Sequence, residues 1–158
     1  MSLDDRPFVD RFTETNHEPF NYKGLTVQDS LRLSVNKESR LFIKVLSVVR
    51  KPKQGLAISG VRCKVHIAGQ TVRDAVCWID RLPYDFEVNF RAAKPDAEVV
   101  IWNTFKLSIT PHPLPDIGDN GMVVDRLSEQ ENRFIVRCNS GADTKKDFKS
   151  LVFELKLN

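Results

Sequence analysis

Three histidines, three cysteines and a scatter of carboxylates are what this chain offers to acid-base, nucleophilic or metal chemistry. His17 falls in the N-terminal stretch, His66 in an alternating segment and His112 among prolines, so nothing in the pattern makes them converge. A G-x-S-x-G elbow, an H-E-x-x-H pair, a P-loop and a dinucleotide fingerprint are all missing. The expectation is a non-enzymatic protein that needs no cofactor. Cys63, Cys77 and Cys138 each sit inside an apolar run without C-x-x-C spacing, which predicts buried thiols rather than a zinc or redox site. Unpaired thiols favour a reducing compartment, so a cytoplasmic location is expected.

Carboxylates come closest to a ligand set around Asp116 and Asp119, which Asp143 and Asp147 could join if two loops share one end of the fold. Hard cations want several oxygen ligands close together. Counted from Asp116, however, the third position of a calcium loop is Gly118 and the twelfth is Leu127. Asx-turn chemistry explains the run better, so no metal is expected and carbohydrate or calcium binding there ranks third.

Cations are more suggestive. Arg62, Lys64 and His66 recur within one segment, with Lys44, Arg50, Lys51 and Lys53 nearby in sequence. On adjacent strands they would make a positive sheet face able to neutralise phosphates of RNA or of an anionic membrane. The formal net charge is only +3, so the total demands no polyanionic partner. Stacking platforms for bases would strengthen that reading. Trp78, Trp102, Phe105 and Phe153 instead fall in apolar runs and are expected in the core.

An interface is the other candidate. Phe8, Phe12 and Phe20 lie on a polar N-terminal arm, Tyr22 and Tyr84 lie beside loops, and Leu114 and Ile117 have no obvious strand role. Exposed, they would dock a protein partner or a second copy.

The elements that must position these groups read as strands. At 158 residues the chain suits one domain without staples. Residues 1–23 look like a partly ordered arm and residues 24–158 like a single domain. Residues 31–35, 61–67, 86–90, 99–109 and 151–157 alternate apolar with polar residues, the period of a half-buried strand, and 122–127 and 133–138 read as paired strands around the polar turn 128–132. Residues 41–49 are dense in β-branched side chains, which favours strand over helix. Residues 50–55 read as a loop, 61–67 as one unbroken strand, and 71–80 as its well-covered hairpin partner. Residues 110–121, with three prolines and two glycines, form a long loop.

About nine strands with frequent turn signals and no convincing helix predict an all-β antiparallel β-sandwich or jelly roll, with a closed β-barrel as the structural alternative. No apolar stretch approaches the length of about 18 residues that spans a membrane, and the start lacks the apolar core of a secretion signal. The leading functional expectation is a binding or assembly module acting through protein-protein contact or self-association.

Overall fold

The computed structural model describes residues 6–79, 85–92, 94–106, 120–128, 130–141 and 146–158. In chain order these form a helix α1 (Phe8–Glu14) and the strands β1 (Phe20–Tyr22), β2 (Leu25–Val27), β3 (Leu31–Ser34), β4 (Glu38–Val48), β5 (Lys53–Val61) and β6 (Cys63–Ile67). There follow β7 (Gln70–Val72), β8 (Asp74–Trp78), β9 (Asp85–Ala92), β10 (Glu98–Lys106), β11 (Gly121–Ser128), β12 (Arg133–Asn139) and β13 (Leu151–Leu157).

Two antiparallel sheets make a sandwich. One has four strands in the order β3-β10-β5-β8, and the other seven in the order β11-β12-β13-β4-β9-β6-β7. Both are open, so the fold is a sandwich and not a closed barrel. Alternation explains the layering, because successive side chains on a strand point to opposite faces. Leu56, Ile58, Val99 and Ile101 from the smaller sheet meet Leu41, Ile43, Val88, Phe153 and Leu155 from the larger in one buried cluster. Each such side chain contributes about 1.5–3 kcal/mol through burial. Among the described residues no helix is long and apolar enough to cross a membrane.

Several sequence expectations are corrected. Residues 61–67 are not one strand: Arg62 adopts a φ of 58° and breaks the run, so β5 and β6 enter different sheets. Residues 71–80 divide likewise, with β7 pairing β6 and β8 pairing β5. Residues 53–55, read as loop, already belong to β5, because pairing with β10 resumes directly after Pro52.

The arm is also more than an arm. Pro7, with ψ at 142°, leads into α1, whose Phe8 and Phe12 are four residues apart and therefore on one face. Together with Phe20, Tyr22, Val27, Val123 and Phe148 they form a second apolar cluster. The Phe8 ring meets those of Phe20, Tyr22 and Phe148 at 5.5, 5.4 and 5.8 Å. This cluster sits against Gly121, where a Cβ would lie 2.8 Å from Val27 Cγ1 and 3.0 Å from Phe8 Cδ2. The β1-β2 hairpin also closes the free edge of β11, where Gln28 and Met122 exchange backbone hydrogen bonds of 2.9 and 2.8 Å.

Candidate interaction surface

The outward face of the seven-stranded sheet carries Lys44, Lys64 and His66, but not as a basic patch. β9 lies between β4 and β6, so the cations expected on adjacent strands are separated. Lys44 stands level with Asp85 on one side and Glu154 on the other. Lys64 pairs in register with Arg91, which itself lies 4.0 Å from Glu38. His66 Nδ1 and the Thr71 hydroxyl share a hydrogen bond of 2.8 Å. Arg62, just beyond the end of β5, pairs with Asp96 at 2.5 Å and lines a concavity with Lys37, Glu38, Lys64 and Arg91. Arg50, Lys51 and Lys53 lie at the opposite end of β5 from Arg62. The seven candidates therefore do not converge as a set: Arg62 and Lys64 share a concavity with Lys37, Arg91 and Glu38, Lys44 lies between two acids, and Arg50, Lys51 and Lys53 lie at the far end of β5.

The expected interface residues fare differently again. Phe8, Phe12, Phe20 and Tyr22 are buried within the chain's own aromatic cluster, so the folded arm does not present them to a partner. Tyr84, Leu114 and Ile117 lie outside the described residues, as do Asp116, Asp119 and Asp143. Asp147, which is described, accepts a hydrogen bond from the Lys149 N–H at 3.1 Å, as an Asx turn does. Among the described residues no group of three or more His, Cys, Asp or Glu could hold a metal ion.

The thiols are unpaired, with Cys77 and Cys138 buried and Cys63 partly so. Burial pushes the Cys77 thiol up to about 11 and raises that of Cys138 further still. Neither is poised as a nucleophile near neutral pH.

The surface that departs from a solvated sheet is the outward face of the four-stranded sheet. Its central strand β5 turns Gly55, Ala57 and Ser59 outward, and these small residues leave a shallow strip between taller neighbours. In register, Trp102 of β10, Ala57 and Val76 of β8 form one row, and Thr104, Gly55 and Trp78 form the next. Trp102 is 36% and Val76 41% exposed. Trp78, half-buried, lies over Gly55, where a Cβ would stand 2.8 Å from its Cε3. Lys53 Nζ is 5.5 Å from the centre of the Trp78 ring, within cation-π range.

Charge sits at the margins. Arg32 pairs with Glu98 at 2.7 Å, and the Ser59 hydroxyl donates to Asp74. Trp78 and Trp102 were both expected in the core, whereas Phe105 and Phe153 are indeed fully buried. The signal that could have found Trp102 is parity. Trp102 shares its phase with Val100, Thr104 and Lys106, opposite to Val99, Ile101 and Phe105.

No protein-family model, curated protein or solved structure matches this chain.

Proposed function

We propose that the chain is a non-catalytic association module that holds a protein partner on the outward face of its four-stranded sheet. The observation that carries this reading is the row Trp102-Ala57-Val76, in which two large apolar side chains stand exposed on either side of a buried alanine on one sheet face. Tryptophan in such a setting is a typical anchor of protein interfaces, because a large ring is desolvated at little conformational cost. The alternative of an RNA-binding or membrane-binding basic face would rest on Arg62, Lys64, Lys37 and Arg91 around one concavity, where Asp96 and Glu38 already pair Arg62 and Arg91, while Lys44 stands apart between Asp85 and Glu154.

The double variant Trp102→Arg with Val76→Asp tests the assignment. Association, read by light scattering for self-assembly and by reconstitution with a purified partner for hetero-assembly, is expected to fall at least tenfold. The melting temperature should stay within a few degrees of the parent's. A double variant that melts like the parent and associates as well as it does would overturn the reading.

A further inference from the structure

The partner on this surface can be argued from the backbone of β8. Hydrogen bonds at both ends of its ladder with β5 set the phase: Ile79 N–H donates to Gln54 O, and Gly60 N–H donates to Arg73 O, each at 2.9 Å. In an antiparallel pair, residues alternate between turning their N–H and C=O groups toward the neighbour and away from it. Arg73, Ala75, Cys77 and Ile79 therefore point theirs at β5. Asp74, Val76 and Trp78 point theirs outward, at an edge that no other strand among the described residues pairs.

Other sheet edges are blunted in ways that β8 is not. The free side of β11 is closed by Gln28, and its pairing with β12 slips between Arg126 and Ser128. β7 spans three residues and β3 four, with Arg32 on the latter. β8 contains neither lysine nor proline, the residues that commonly guard an edge, and it ends on apolar Val76, Cys77 and Trp78.

We propose that β8 pairs antiparallel with β8 of a second copy across a twofold axis at Val76, joining the two four-stranded sheets into one continuous sheet. This deepens the association reading and rests on it. The outward-pointing groups are self-complementary about Val76. Val76 meets Val76 in a doubly hydrogen-bonded pair, and Asp74 of each copy meets Trp78 of the other in the same kind of pair. On the outward face, the row Trp102-Ala57-Val76 runs on into Val76-Ala57-Trp102 of the second copy. Charge agrees as well, because Lys53, seated over Trp78, comes beside the Asp74 carboxylate of the second copy. An interface related by a twofold axis needs this kind of self-matching patch.

Proline at position 76 makes the sharpest test. The Val76 N–H takes no part in the ladder with β5, so Val76→Pro removes an intermolecular donor and spares the fold, as proline on an edge strand can. The full-length parent is expected to show twice the monomer mass by light scattering, and Val76→Pro the monomer mass with a circular dichroism spectrum like the parent's. Val76→Cys provides a second line that does not depend on tolerance of proline. A hydrogen-bonded pair separates Cα atoms by about 5.5 Å, within disulfide range. Oxidised glutathione should therefore link Val76→Cys chains into dimers and leave the parent unlinked.

A parent that is monomeric across a dilution series, including one carrying nucleic acid that salt removes, overturns the pairing. So does a dimer that survives Val76→Pro and fails to cross-link at Val76→Cys. The broader reading fails separately, when the Trp102→Arg, Val76→Asp variant associates undiminished with every partner. A monomeric parent whose hetero-association still requires Trp102 would sink only the self-pairing.

Discussion

On the outward face of the seven-stranded sheet, Glu154 stands between Ile135 and Lys44, Lys44 beside Asp85, and Arg91 between Glu38 and Lys64. Where that face becomes apolar, at Gly121 and Val123, the chain's own N-terminal segment covers it with an aromatic cluster. The four-stranded sheet treats its apolar row otherwise. Trp102, Ala57 and Val76 run across it to an edge that no other strand among the described residues pairs, with Trp102 and Val76 exposed and Ala57 buried between them. Two apolar patches thus occur on two outward faces, one closed from within the chain and one that leaves Trp102 and Val76 exposed. Apolar surface left in water is a standing driving force for association, so the difference separates a structural contact from a candidate binding surface.

The largest effect should come from opening the closed patch. Phe8→Ala removes the ring that joins Phe20, Tyr22 and Phe148, and a buried phenylalanine truncation costs about 3–5 kcal/mol, measurable by urea denaturation. An unchanged main transition preceded by a smaller one would break the comparison, because the N-terminal unit would then be a separable cover. Gly121→Ala should cost less, about 1–3 kcal/mol, since its Cβ must displace Val27 and Phe8 by a few tenths of an ångström. On the open patch, Trp102→Arg alone should change stability by less than about 1 kcal/mol while reducing association. A loss comparable to that of Phe8→Ala would mean that Trp102 is a structural residue.

A pH-dependent effect concerns the inner side of β8. The folded state holds the Cys77 thiol at about 11, above its ordinary 9.0, so it favours the protonated form. That contribution is fully present below pH 9 and is lost as pH rises toward 11, because the unfolded chain deprotonates first. Cys77→Ala should therefore show a shallower alkaline decline in stability than the parent, whereas identical slopes would argue that Cys77 is not shielded.

Much of the fold was legible because alternation is a local property. Val88 and Phe90, Val99 and Ile101, and Leu151, Phe153 and Leu155 all turn inward as their period requires. The candidate surface was not legible in the same way. Trp78 sits in a run, Ala75 to Ile79, that is apolar on both parities, and such a run reads as covered on both sides. Its position at a sheet edge depends on which strand pairs with it, a non-local fact. Strand adjacency was hidden for the same reason: closeness in sequence suggested that Lys44 and Lys64 were on neighbouring strands, yet β9 returns between them. The helix could have been read from Phe8 and Phe12 at four-residue spacing after Pro7.

By itself the sequence determined an all-β chain, the inward parity of most strands and the burial of Cys77 and Cys138, since these follow from side-chain period and hydrophobicity. Only the tertiary structure decided that the chain changes sheets at Arg62 and again between β7 and β8, that the N-terminal phenylalanines close one patch, and that Trp102 and Val76 keep another open. Strand order is set by which distant surfaces bury best against each other, and no local pattern records that competition.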